Sequence, residues 1–398
     1  MQAISKGVRR FWVALILGAL AAFPPLSLDM YLPALPQIEL DLSTTTSLTQ
    51  LTLTAFLIGL SVGQVWIGPL SDLRGRRYPL LAGLIVYTIS SLLCAFSPSI
   101  GWLIVFRVVQ GLAGAASVVI STAIVRDLYS GTQLTKFFAL LSLISGVAPV
   151  LAPIIGAQLL HFSTWPGLFI VLAVLGAAIM ASVILMLPET LPPERRSRGG
   201  VRQSVKDMRM IASDRVFMGH ALSRGLVMAA YFAYISGSPF VVQNLYGGSP
   251  TLFSLIFAVN GAGIIVTSQL TGKLAGRISE MRMLTIGLSA AAVGGVGILA
   301  AVVLDAGLYA MLVPLFVVVS SIGTINTTTG SLAMESKGDT AGSASALLGL
   351  LTFIPGALII PFVGLEGGLS AMPMALLMVI TLMGALLSHF VLARPWKT

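Results

Sequence analysis

Three charged side chains lie inside long apolar runs of this chain: Asp29, Arg107 and Arg224. A charge in hydrocarbon costs about 2.5–3.5 kcal/mol or more, so such residues turn toward a cavity or toward one another and mark ion or substrate pathways. The chemistry open to Asp29 is to take up and release a proton. Burial and a nearby cation act in opposite senses on a carboxyl group, so a change in the separation of Asp29 from Arg107 would switch its proton affinity. A static buried pair holding two helices together is the other reading. Arg224 lies about seven residues inside its apolar run, where it can either meet a cavity or extend its head toward the nearer interface.

Other polar groups are candidates for lining a cavity. Gln50, Gln110, Asn260 and Asn326 sit within apolar runs, as do Gln64, Gln158 and Gln269, and a buried amide needs an internal partner or water. Tyr31 lies within one helical turn of Asp29, and Tyr234 belongs to an aromatic group with Tyr231 and Phe232. The substrate-cavity set is therefore Tyr31, Gln110, Gln50, Tyr234, Asn260, Asn326 and Arg224. His161, His220 and His389 fall near the ends of runs, better suited to interfaces than to proton relay. With one carboxylate in the apolar interior and no histidine cluster there, the acid, base or ligand groupings that an enzyme needs are missing, so no metal and no cofactor is expected. Cys94 is the sole cysteine and excludes an intrachain disulfide.

The elements that position these groups are apolar helices. The chain has 398 residues, of which 56% are hydrophobic and 9% charged, far from the roughly 25% charged share of a soluble domain. A helical span needs about 20 apolar residues, and twelve such runs can be drawn: 11–33, 46–68, 79–97, 101–124, 136–160, 166–187, 217–240, 250–272, 282–304, 308–330, 342–364 and 371–393. Lys6, Arg9 and Arg10 ahead of the first run allow a signal-peptide reading, but the run reaches Tyr31 and contains Asp29, which argues for a span. With both termini cytoplasmic, 21 of the 23 Lys and Arg residues fall in cytoplasmic segments and the other two are Arg107 and Arg224. This satisfies the positive-inside rule, and the net charge of +9 then reports topology and not a nucleic-acid surface.

Residues 189–215 form one long polar segment, which predicts an N-terminal half over 1–188, a cytoplasmic linker over 189–215 and a C-terminal half over 216–398. Within the linker, Val201 to Ile211 has the spacing of a short amphipathic helix. A shift of 204 residues maps Gly68 to Gly272, Leu70 to Leu274 and Gly83 to Gly287, while Asp72 falls on Gly276 and Arg76 on Glu280. Carriers built from duplicated units show such repeats. The third, sixth, ninth and twelfth runs hold few strong polar groups and are expected to face lipid. Prolines in the first, fifth, tenth and eleventh runs remove helical hydrogen bonds and allow bends.

Several stretches resemble a known family. Gly68-Pro-Leu70-Ser-Asp72-Leu-Arg74-Gly75-Arg76-Arg77 resembles the signature loop of the major facilitator superfamily, with Leu73 where a basic residue is common. Gly68 and Gly75 are expected to form a tight turn and Asp72 with Arg76 a charge pair. The resemblance implies a cytoplasmic gate of Gly68, Asp72, Gly75, Arg76 and Arg77, together with Asp127 at the end of the fourth span. Arg107-Val-Val-Gln110-Gly111 resembles the motif of proton-coupled facilitators. Gly146-Val-Ala-Pro149-Val-Leu-Ala-Pro153-Ile-Ile-Gly156 resembles a variant of the antiporter motif and assigns helix bending to Gly146, Pro149, Pro153 and Gly156. Leu28-Asp29-Met30-Tyr31-Leu32-Pro33-Ala34-Leu35-Pro36 and Pro188-Glu-Thr-Leu-Pro-Pro-Glu-Arg-Arg196 resemble the Bcr/CflA type of drug-resistance transporter.

The resemblance implies an all-α integral membrane protein of the major facilitator fold, with 12 transmembrane helices in two six-helix halves. It implies a multi-pass monomer of the bacterial inner membrane that exchanges protons for small molecules, driven by the proton gradient, with the lipid bilayer and no nucleic acid as further partners. Asp29 and Arg107 are the coupling residues expected on this resemblance. By depth, Asp29 lies ~9 Å below Leu35 and Arg107 ~7–8 Å below Trp102, and the family fold sets the two helices side by side, allowing a direct or water-bridged pair. One carboxylate beside arginine favours neutral, zwitterionic or weakly anionic amphiphiles over dications, in line with the phenicol-, sulfonamide- or bicyclomycin-like compounds the resembled group exports. A nucleoside or other metabolite carrier, and a channel, are the alternatives.

Overall fold

A computed structural model describes residues 6–129, 131–196, 206, 208–334 and 341–393. The described chain is helical almost throughout, because long runs of Leu, Ala, Ile and Val carry high apolar content and helical hydrogen bonding satisfies every backbone group without water. α1 covers Lys6–Asp29 and is followed by a 3-10 turn at Leu32–Ala34 and α2 at Leu35–Asp41. Next come α3 (Thr46–Arg74), α4 (Arg77–Ala95), α5 (Ile100–Leu128), α6 (Gly131–Leu160) and α7 (Trp165–Met186). A second group comprises α8 (Arg215–Phe240), α9 (Pro250–Leu274), α10 (Glu280–Val303), α11 (Leu308–Met334), α12 (Ala341–Val363) and α13 (Met372–Ser388). α8 and α13 each end in a π-helical turn, Val241–Leu245 and His389–Ala393.

Twelve helical segments among the described residues are long and apolar enough to cross a membrane, in the places the hydropathy runs predict. The helices outlast the apolar runs at several ends. α3 continues through Ser71, Asp72, Leu73 and Arg74, since these residues sustain helical hydrogen bonding even though hydrocarbon would not hold them. The first span departs from the expected 11–33: α-helix stops at Asp29, and Pro33 and Pro36, which lack N–H donors, lie in the short helical turns beyond it. Gly68 lies inside α3, so it takes no part in the turn expected of it; Gly75, with φ of +87°, makes that turn alone. α6 runs as one continuous helix through Gly146, Pro149, Pro153 and Gly156. Of the linker segment from Val201 to Ile211, Met208–Ile211 are helical, and most of the rest lies outside the described residues.

The chain divides into two compact units. The first consists of Met1–Tyr31, Ala55–Ala152 and Leu159–Gln203. Its core joins Ile16, Leu17 and Leu20 of α1, Leu84 and Tyr87 of α4, and Ile120 and Ile124 of α5. The α3–α5 seam is close enough to require small residues: a Cβ on Gly59 would meet the Val108 carbonyl and, at 2.9 Å, Leu112 N, and one on Gly111 would meet the Phe56 carbonyl. The second unit consists of Leu32–Thr54, Pro153–Gln158 and Ser204–Thr398. There α8 is buried along nearly its whole length against α12 and α13, while α9 and α10 pack on α11.

Candidate functional site

The functional side chains of the first unit gather around Arg107. Its helix, α5, buries the side chain completely (0% exposed). Guanidinium Nη1 donates to the Ser27 carbonyl at 3.0 Å and to Gln110 Oε1 at 2.6 Å. Three rings face the cation, with the Arg107 Cζ 4.6 Å from the Tyr31 centroid, 4.4 Å from Phe56 and 5.7 Å from Phe169. Aromatic faces carry negative potential and attract a cation, by about 2 kcal/mol or more when both are desolvated. Gln110 Nε2 donates to Ser91 Oγ at 2.7 Å, Ser91 Oγ donates to the Tyr87 carbonyl at 2.7 Å, and the Tyr87 hydroxyl lies 2.5 Å from Ser27 Oγ. The contacts thus close a ring from α5 through α4 to α1 and back.

Asp29 is buried beside this ring, 4% exposed at the last residue of α1. Its neighbours at positions 27 and 31 both contact Arg107, so the two charges share the depth that helix geometry predicts. The direct pair is absent. Among the described residues the ion pairs are Arg76–Asp72 and Arg76–Asp127, and the Asp29 Oδ1 has no hydrogen-bond partner. The reason is visible in the cluster: carbonyl, amide and ring groups surround Arg107 and leave the carboxylate outside its coordination. Nε and Nη2 of Arg107 are themselves buried without hydrogen-bond partners.

The other polar candidates fall into separate places. Tyr31 and Gln110 belong to the Arg107 cluster and are fully buried. In the second unit, Gln50 Nε2 donates to the Ser236 carbonyl at 2.9 Å. Asn260 Nδ2 donates to the Tyr234 hydroxyl at 3.0 Å, and the Tyr234 ring stacks on Phe257 at 5.7 Å. Asn326 Nδ2 lies 3.8 Å from Met228 Sδ, with its Oδ1 unpartnered. Arg224 lines a cavity of about 270 Å³ with Gly330, Ser345, Leu348, Gly349, Thr352 and Phe353.

The loop after α3 forms a second charged centre in the first unit. Arg76 Nε donates to Asp127 Oδ2 at 2.9 Å, and Nη1 donates to Asp72 Oδ1 and to Ser71 Oγ. Burial alone would lower the Arg76 pKa, but the hydrogen bonds and charges of Asp127 and Asp72 outweigh it and hold it above the ordinary value. Glu189 completes the centre. Its Oε1 accepts from the backbone N–H of Arg76 (2.8 Å), Thr190 (3.0 Å) and Leu191 (2.9 Å), and Oε2 from that of Arg77 (3.1 Å). The carboxylate therefore caps the N-terminus of α4, where unpaired N–H groups and the helix dipole favour an anion. Burial pushes the Glu189 pKa up, but the four N–H donors pull it further down, to a value below the ordinary one. The resemblance carried by the Pro188-Glu189-Thr190 stretch assigns Glu189 no role; an acid after a proline at the end of the sixth span is the available signal.

Comparison with known proteins decides the family. The Major Facilitator Superfamily pattern matches residues 15–361. The chain belongs to the Major Facilitator Superfamily. It is 43% identical over 390 residues to the uncharacterized MFS-type transporter YdgK of Bacillus subtilis (strain 168), covering 98% of this chain and 97% of that one. It is 30% identical over 348 residues to the bicyclomycin resistance protein homolog of Haemophilus influenzae, covering 87% of each. A crystal structure of a bacterial homolog of the human lysosomal transporter Spinster superposes with a TM-score of 0.76 at 16% identity, over 99% of this chain and 98% of that one. This member of the superfamily is thus an all-helical, multi-pass membrane transporter with the resemblance to Bcr/CflA-type drug transporters that its motifs carry.

Proposed function

We propose that this transporter is a proton-coupled exporter of small neutral, zwitterionic or weakly anionic amphiphiles, with bicyclomycin-like and phenicol-like molecules as the compounds to try first. It works by alternating access of two six-helix halves, 1–188 and 216–398 joined by the linker 189–215, in a bacterial inner membrane with both termini cytoplasmic. The observation that carries this reading is the buried Asp29 carboxyl, which stands near a cation held by carbonyl, amide and ring contacts and not by the carboxylate. A carboxyl that is not tied into an ion pair can accept and release a proton without first breaking one. Tyr31 links Asp29 to Arg107, because its ring packs on the guanidinium two residues from the carboxyl. The break in the first span at Asp29 places this group where a change in helix packing would alter its access to water.

The test uses the full chain in liposomes of inverted orientation with a pH-sensitive dye in the external medium. Chloramphenicol or bicyclomycin added to wild type should drive proton movement coupled to its transport. Asp29→Asn should bind the compound and move no protons. Unimpaired proton-driven accumulation by Asp29→Asn would overturn the assignment.

A further inference from the structure

Arg224 is the third charge in the apolar interior and has no part in the cluster around Arg107. It extends from α8 into a cavity of about 270 Å³ whose other walls come from α11 and α12. Among the described residues it takes part in neither ion pair, and its Nε is buried without a hydrogen-bond partner. Gly330 stands 3.5 Å from Nη1, measured from the position a Cβ would take, so this side of the guanidinium is kept clear of a side chain. Leu348 and Phe353 give the cavity an apolar wall, and Ser345 adds a hydroxyl beside it. A cation with a buried, unsatisfied donor in an apolar setting has a large desolvation cost that only an anion or a strong acceptor offsets. The planar guanidinium fork matches a carboxylate or sulfonate, which can accept two parallel N–H bonds.

We propose that Arg224 is the head-group subsite for an organic anion: a small aromatic or aliphatic amphiphile whose single carboxylate or sulfonate meets the guanidinium while its apolar body lies on Leu348 and Phe353. This assigns a subsite to the anionic members of the exporter's substrate class and takes its biological sense from that reading. Binding to the cavity does not require proton coupling, so the two ideas fail in different experiments.

The probes are 2-naphthoate and its neutral isostere 2-naphthamide, bound to the full chain in phosphatidylcholine nanodiscs and followed by equilibrium dialysis. Wild type should prefer the carboxylate by about tenfold or more, the scale of a charge-assisted bidentate contact. Arg224→Gln should lose that preference while still binding the amide, and Arg224→Lys should keep part of it. Equal binding of the two probes by wild type, or an undiminished preference in Arg224→Gln, overturns the proposal. A second measurement leaves Arg224 intact: Ser345→Cys, made with Cys94→Ser, is labelled with a maleimide. Naphthoate should slow labelling more than naphthamide does; equal effects overturn the subsite. Discs containing phosphatidylglycerol separate the sources of the anion. Unchanged naphthoate binding supports a small-molecule site, and competitive loss would assign the cavity to a lipid headgroup instead.

Discussion

At the scale of single residues, the surroundings of Arg107 determine what a substitution does. Lysine keeps the charge but has neither a planar face for Tyr31, Phe56 and Phe169 nor a fork that reaches Ser27 and Gln110 together. Arg107→Lys should lower thermal stability by roughly 2 kcal/mol, and unfolding of the purified protein in detergent will read this as a fall in Tm. Ser91→Ala should act on a similar scale, at about 1–3 kcal/mol, because it leaves the buried Gln110 amide without its acceptor. Asp29 and Arg107 were legible in the sequence, since a charge in an apolar run stands out. Phe56, Phe169, Ser27 and Tyr87 were not: such residues are unremarkable in a span, and only the packing of α1, α3, α4, α5 and α7 brings them to one cation. The same packing explains why shared depth did not become an ion pair. Depth constrains one coordinate, and the rings occupy the others.

At the scale of elements, the junction between α3 and α4 depends on Glu189 in the segment after α7. A carboxyl whose folded pKa is lowered contributes stability that is fully present above its unfolded value, about 4.3, and is lost as pH falls through the lower folded value. The thermal stability of wild type should therefore fall as the medium is taken below about pH 4, and Glu189→Gln should start less stable and show a smaller loss over that interval. Gly75→Ala should be worse than an ordinary turn substitution. Its φ of +87° disfavours a side chain by about 1–2 kcal/mol, and its Cβ would also stand 2.5 Å from Glu189 Oε2. Hydropathy made the spans legible but not their ends, because α3 continues as helix through Asp72 and Arg74, past the last apolar residues that hydropathy registers.

At the scale of the whole molecule, the shift of 204 residues acquires a packing meaning. Gly59 of α3 and Gly263 of α9 are related by it, and each faces the fourth span of its own group: Gly59 meets α5 at Val108 and Leu112, Gly263 meets α11 at Ser320 and Phe316. Gly83 and Gly287 repeat the pattern from α4 and α10, with Cβ positions 2.6 Å from Ala116 Cβ and 3.1 Å from Ile325 Cγ1. Gly272, by contrast, has nothing within 4 Å of its Cβ position. Gly59→Ala and Gly263→Ala should each lower Tm, whereas Gly272→Ala should leave it unchanged or raise it, helix propensity adding up to about 1 kcal/mol of stability. The glycines alone were a weak signal in a chain containing 41 of them, and the seam they serve requires three-dimensional neighbours. The aromatic enclosure of Arg107 has an electrical consequence as well. Among the described residues no carboxylate pairs with that cation, and in the proposed proton coupling each proton taken by Asp29 adds a full unit of charge within the transmembrane field, worth about 2.3 kcal/mol per 100 mV if carried all the way across. Export of a neutral compound should then be accelerated by an inside-negative potassium diffusion potential with no pH gradient present, and export of a monoanion should respond about twice as steeply.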